Sequence, residues 1–148
     1  MVETWCILLR RMSFARSFEE RDELLKGIVS LGAGTRIVSF VNVYGFMLTG
    51  SDPVFRDAIL NSDFILRDGV GAKVLCKAAE LEPGLNLHGT DLIPVLLEML
   101  DRGCSIGIMG TAEPSLENAR RRLLDLGCKR VRTIDGFHAD CKYIECAE

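Results

Sequence analysis

The sequence predicts a single α/β domain built on a mostly parallel sheet, and three observations carry that prediction. Short apolar runs alternate with longer segments of helical period, the pattern that strand-helix-strand units produce. Polar or glycine-rich turns close four of the apolar runs, at Asn42, Asp68-Gly69, Gly110-Thr111 and Asp135-Gly136. With 148 residues the chain fits one domain, and a domain of that size buries about two thirds of the surface its unfolded chain exposes.

Taken in order, Thr4 to Arg10 reads as the first strand, because Trp5-Cys6-Ile7-Leu8-Leu9 is an unbroken apolar run. Ser17-Phe18-Glu19-Glu20 has the Ser-x-x-Glu form of a capping box. Phe18, Leu24, Leu25, Ile28 and Leu31 then supply the stripe of a helix that stops at Gly32. Arg36 to Val41 is a β-branched strand running into Asn42, which puts that side chain at the strand tip. Ser51-Asp52-Pro53 opens another helix, with Pro53 suited to the first helical position. Asp63 to Leu66 is a short strand, Gly69-Val70-Gly71 breaks it, and Ala72 to Glu80 reads as the next helix, leaving Asp68 in the turn.

Thr90 or Asp91 caps a helix whose Leu92, Val95, Leu96, Met99 and Leu100 follow the 3.6-residue period and which stops at Gly103. Cys104 to Met109 is a buried strand, Gly110-Thr111 turns the chain, and Pro114 starts a helix that ends at Gly127. The last clear strand, Arg130 to Ile134, meets Asp135-Gly136-Phe137-His138. The chain shows no repeat and no linker.

Composition excludes several classes. Hydrophobic residues make up 48% and charged residues 26%, which argues against disorder and low-complexity classes. A formal charge of −3 with interspersed signs offers no basic field for nucleic acid, and Arg120-Arg121-Arg122 sits inside a helical pattern as a solvated face. The longest apolar run, Ile37 to Leu48, is interrupted by Ser39, Asn42 and Gly45 and falls short of a membrane span. The charges Arg10-Arg11 follow the amino-terminal apolar run, the reverse of a secretory signal, so a cytoplasmic location is expected. Most of the six cysteines lie in apolar strand or helix patterns and read as reduced thiols. Cys141 and Cys146 with His138 and Asp140 lack zinc-knuckle spacing, so no metal is expected.

In open parallel sheets ligands collect outside the carboxyl ends of strands, so the four turns are the places to look for a site. Gly110-Thr111, with a helix to follow, is the best phosphate candidate, since a helix start offers unpaired N–H groups. It is neither a Gly-x-Gly-x-x-Gly fingerprint nor a P-loop, and taken alone it reads as a plain strand-to-helix turn. Asp68 is equally open: Asp-Gly is a common turn pair, and the carboxylate could serve only to cap the next helix. His88 reads as a loop histidine and Asp91 as a helix cap.

The order of these turns resembles the WecG/TagA/CpsF family of bacterial glycosyltransferases over most of the chain. The residues that carry the resemblance are Val41-Asn42-Val43, Asp52-Pro53-x-Phe55-Arg56, Asp68-Gly69-Val70-Gly71, Gly89-Thr90-Asp91-Leu92-Ile93-Pro94, Ile108-Met109-Gly110 and Asp135-Gly136-Phe137. The resemblance implies a Rossmann-like three-layer α/β/α fold. It also implies inverting transfer, without a metal or other cofactor, of an N-acetylmannosamine-type sugar or its uronic acid. The donor would be a UDP-sugar and the acceptor a polyprenyl-diphosphate-linked saccharide, in polysaccharide or teichoic acid assembly.

By the same resemblance Asp68 is the general base. Asn42 and Gly69 line the sugar pocket, Thr90 and Asp91 belong to the substrate-binding set, Gly110 lies near the nucleotide and Phe137 near the uracil. Phe40 stands where many members carry threonine. Family chains continue past this point through a Gly-x-Pro-x-Gln-Glu segment and a basic appendage tied to membrane contact, neither of which follows Phe137. The expectation is therefore an enzyme shortened at its carboxyl end, peripheral to the inner membrane face and self-associating through an exposed sheet edge. The alternative is a non-catalytic remnant that binds nucleotide or oligomerises. A nucleotide-binding α/β module of another class is the more generic reading.

Overall fold

The structure, a computed structural model, describes residues 2–30, 36–101, 103 and 105–136. It is mixed α/β with parallel strands, and the chain divides into two compact units, Met1–Met99 and Leu100–Glu148.

The first unit holds α1 (Val2–Arg11), α2 (Phe18–Val29), β1 (Val38–Val41), α3 (Val43–Ser51), α4 (Pro53–Leu60), β2 (Phe64–Arg67), α5 (Gly69–Ala78) and α6 (Gly89–Met99). β1 and β2 pair in parallel, with Val38 opposite Phe64 and Val41 opposite Arg67. The other edge of β2 is also bonded: Ser13 donates its N–H to the Ile65 carbonyl at 2.8 Å and Leu87 to the Arg67 carbonyl at 3.1 Å. Because side chains alternate along a strand, β2 sends Ile65 and Leu66 to opposite faces. Ile65 and Val41 join Leu8, Leu9, Met12, Phe46, Ala72 and Cys76 in one core. Leu66 joins Ala15, Leu25, Ile28, Leu87 and Leu92 in the other, with Phe40 packed against it. Helices therefore cover both faces of the pair, α1, α3 and α5 on one and α2 and α6 on the other.

The second unit holds β3 (Ser105–Met109), α7 (Ser115–Asp125) and β4 (Arg130–Ile134), with β3 and β4 parallel. Cys104, Phe137, His138, Asp140, Cys141 and Cys146 lie outside the described residues, as does the expected helix stop at Gly32.

One element differs in type from expectation. Thr4 to Arg10 is not a strand but part of α1. A strand would bury alternate residues, whereas Trp5, Leu8, Leu9 and Met12 recur at helical spacing and form the packed face. Ile7 is 47% exposed while Leu8 is fully buried. Trp5 fixes the helix by donating its indole N–H to the Phe46 carbonyl at 2.7 Å and meeting the Phe46 ring edge-on. The helix α3 was not expected either; its N-cap is Asn42, whose Oδ1 accepts the Gly45 N–H at 3.0 Å.

Smaller differences concern helix starts. α5 begins at Gly69 rather than Ala72, α6 at Gly89, so that neither Thr90 nor Asp91 occupies the capping position, and α7 just after Pro114. The Ser17 cap is present, with Oγ accepting the Glu20 N–H, while the Glu20 carboxylate reaches back one residue further and accepts the Arg16 N–H.

Two outcomes follow. Leu8→Ala should destabilise the protein by about 2–5 kcal/mol, the usual range for a buried leucine, while Ile7→Ser should stay within about 0.5 kcal/mol; urea denaturation measures both, and the reverse order would restore the strand. At the far end of the strand pair, the Ile37 N–H and then the Arg36 guanidinium hold the Asp63 carboxyl below the usual carboxylate range. A carboxylate depressed on folding contributes stability above its unfolded pKa and loses it as pH falls through the folded value. Acidification below the ordinary carboxylate range should therefore lower the urea midpoint, and Asp63→Asn should flatten that part of the profile.

Candidate functional site

The site grows from the carboxyl ends of β1 and β2. Asp68 donates its N–H to the Val41 carbonyl at 3.0 Å, so the next residue on each strand, Asn42 and Asp68, stands at neighbouring strand tips about 4.8 Å apart in the sheet direction. Each tip opens a helix directly, α3 after Asn42 and α5 after Asp68. The two helix starts approach closely. A Cβ on Gly71 would lie 2.8 Å from the Val43 Cβ, a separation that only glycine permits. Gly69 has φ +80 and open space where a side chain would stand, so the backbone after Asp68 is bare.

The two polar tips behave differently. Asn42 commits its Oδ1 to the α3 cap. Asp68 occupies the N-cap position of α5, yet its side chain makes no capping hydrogen bond, and no described residue pairs with its carboxylate. The cap explanation left open by the sequence does not account for this residue. The helix start is tied down instead by Asn86, whose Oδ1 accepts the Gly69 N–H at 2.9 Å.

Thr90 and Asp91 arrive from the other side of β2. Leu87 bonds to the Arg67 carbonyl, and α6 begins two residues later. His88 Nδ1 accepts the Asp91 N–H at 3.3 Å and its Nε2 lies 3.0 Å from the Asp91 carboxylate, so the pair closes the first turn of α6. Asp91 thus works with His88 rather than as the cap itself. Thr90 is exposed, and Pro94 has no N–H to give its carbonyl. Gly89 sits over Phe40, the ring atoms lying 3.7 Å from where a Cβ would be.

Arg67, immediately before Asp68, is the residue that sequence reading missed. It is 2% exposed and donates to the carbonyls of Pro83, Gly69 and Gly84 and to Asn86 Oδ1. It forms no ion pair among the described residues. Burial pushes the neighbouring Cys76 thiol up, with the Arg67 charge pulling the other way. Cys6, Cys76 and Cys128 are free thiols. Among the described residues no group of histidine, cysteine and carboxylate side chains is arranged to hold a metal ion, and no helix is long and apolar enough to cross a membrane.

Gly110 belongs to the second unit, where its N–H bonds to the Ile134 carbonyl at the end of β4. Gly136 packs against this turn, its N–H on the Thr111 carbonyl at 2.7 Å. The anion reading of the turn loses one amide, because the Glu113 carboxylate accepts the Glu117 N–H at 3.1 Å at the start of α7. Phe137 lies outside the described residues.

A carboxylate at a strand tip, a second polar tip beside it and a bare glycine turn make a candidate ligand site where parallel α/β proteins build theirs, at strand ends. The model of the glycosyl transferase WecG/TagA/CpsF family matches residues 10–145 of the 148, and the chain belongs to that family. No curated protein matches the chain.

The geometry separates two aspartates. Asp52 caps α4 by accepting the Phe55 N–H at 3.0 Å, so Asp52→Ala should cost about 1 kcal/mol. Asp68→Asn should stay within about 0.5 kcal/mol, because no cap is lost. Thermal unfolding of the two variants compares them, and a larger loss at Asp68 would return that residue to a structural role.

Proposed function

We propose that the chain transfers an N-acetylmannosamine-type sugar, or its uronic acid, from a UDP donor to a lipid-linked acceptor, inverting the sugar carbon with Asp68 as general base. Membership of the family supplies the transferase class. The observation that supports Asp68 in particular is its carboxylate at the end of β2, which caps no helix and pairs with no described residue. A general base must have such an uncommitted carboxylate to take the proton of an attacking hydroxyl.

Asn42 and Gly69 supply the sugar-facing tip and turn, and Thr90 and Asp91 a further substrate contact at the start of α6. Gly110 and Phe137 serve the nucleotide. The helices on both faces of the β1–β2 pair favour the Rossmann-like α/β/α class. The acceptor, a polyprenyl diphosphate carrier, places the reaction at the inner membrane face. The outer edge of β1, which no described strand pairs, favours self-association.

Transfer from radiolabelled UDP-N-acetylmannosamine to a short-chain lipid-linked acceptor tests the reading. Asp68→Asn should lower kcat by about 10²–10⁴-fold while leaving donor affinity within about threefold, the signature of a lost base rather than a lost binding group. Turnover should persist in EDTA. A wild-type chain that binds UDP yet transfers nothing would instead be the non-catalytic remnant, and one that binds no UDP-sugar would end the transferase reading. Sedimentation across micromolar concentrations reads the association.

A further inference from the structure

We propose that Arg67 is the positioning residue of this site: its guanidinium ties the first turn of α5 to the Pro83–Asn86 loop and thereby fixes Asp68 relative to the start of α6. The inference rests on the transferase reading for its kinetic consequence, but its geometric basis is independent of it.

The guanidinium is buried, and every acceptor it meets among the described residues is neutral. Nε donates to the Pro83 carbonyl at 3.0 Å, one terminal nitrogen to the Gly69 carbonyl at 2.9 Å and Asn86 Oδ1 at 3.3 Å, and the other to the Gly84 carbonyl at 3.3 Å. A buried cation without a carboxylate partner is a poor device for stability alone, because desolvation of the charge is not repaid by an opposite charge. What this arrangement achieves is geometric.

Gly69, directly after Asp68, is held at both polar backbone atoms: its carbonyl by Arg67 and its N–H by Asn86. Arg67, directly before Asp68, is held by its own carbonyl to Leu87. The aspartate is thus bracketed by two residues bonded to one loop, and that loop runs through His88 into Gly89, Thr90 and Asp91. Gly84 fits the same close approach, since a Cβ there would lie within clash distance of the Ala15 carbonyl. A planar fork reaches several carbonyls in fixed directions, which a lysine ammonium on its single stem does not reproduce.

The test is Arg67→Lys in the full chain, with Asn86→Ala as a second variant that removes one acceptor and leaves the charge in place. Amide hydrogen exchange is expected to rise by about tenfold or more at Gly69 and Leu87, while amides of α2 and β1 keep their wild-type rates. In the transfer assay kcat should fall about 10–100-fold in Arg67→Lys, with donor KM within about threefold, as a misplaced catalytic group gives. Asn86→Ala should move kcat in the same direction by less.

Wild-type exchange and turnover in Arg67→Lys would overturn the proposal. So would increased exchange spread evenly through the first unit with turnover per folded molecule unchanged, which is what a purely structural arginine predicts. If the wild-type chain transfers no sugar, it is the transferase reading that fails. The exchange pattern, confined to Gly69 and Leu87 or not, still decides the clamp.

Discussion

Strand β2 is bonded along both edges, and the placement of every candidate residue in the first unit depends on that. On one edge β1 is held in parallel register, which brings Asn42 beside Asp68. On the other edge Ser13 and Leu87 satisfy the carbonyls that point outward at Ile65 and Arg67. A strand with one open edge could slip or pair elsewhere. Bonded on both sides, a four-residue strand can hold its carboxyl end in one place, and the chemistry at that end inherits the precision of the pairing.

The alternation of side chains then divides the labour. One face takes Val41 and Ile65 against α1, α3 and α5, the other Phe40 and Leu66 against α2 and α6. Phe40 occupies the position where the family resemblance expects threonine. Its side chain packs with the second core and under Gly89. The substitution replaces a hydroxyl with apolar area on the face that supports α6, so its contribution is to seat the start of that helix.

Much of this was legible in the sequence, and the exceptions have physical causes. The strand ends and turns were readable because a β-branched run closed by Asn42 or by Asp68-Gly69 has few alternatives. The first helix was misread because its apolar run is continuous, although Trp5, Leu8, Leu9 and Met12 carry the helical period that decides it. The third helix was hidden for the opposite reason: Val43, Tyr44, Phe46, Met47 and Leu48 are apolar around the whole circumference, so no polar face marks the period, and the only signal was the cap at Asn42. Arg67 left no signal at all. An arginine after a strand reads as a solvated boundary, and its partners are mostly backbone carbonyls in a loop far along the chain, which no side-chain pattern announces.

The commitment of Asn42 to its helix also fixes how its side chain stands at the strand tip. With Oδ1 accepting the Gly45 N–H, the carboxamide is oriented, and what it still offers is the amide nitrogen as a donor and the second lone pair of Oδ1. The Asp68 carboxyl group stands at the neighbouring strand tip and can accept a hydrogen bond. Side chains at two neighbouring tips that can respectively give and take a hydrogen bond are compatible with a group that does both, such as a hydroxyl. One capping bond therefore fixes how the Asn42 side chain is presented at this end of β1 and β2. That orientation would be lost in a chain that kept asparagine at the tip but did not begin a helix there.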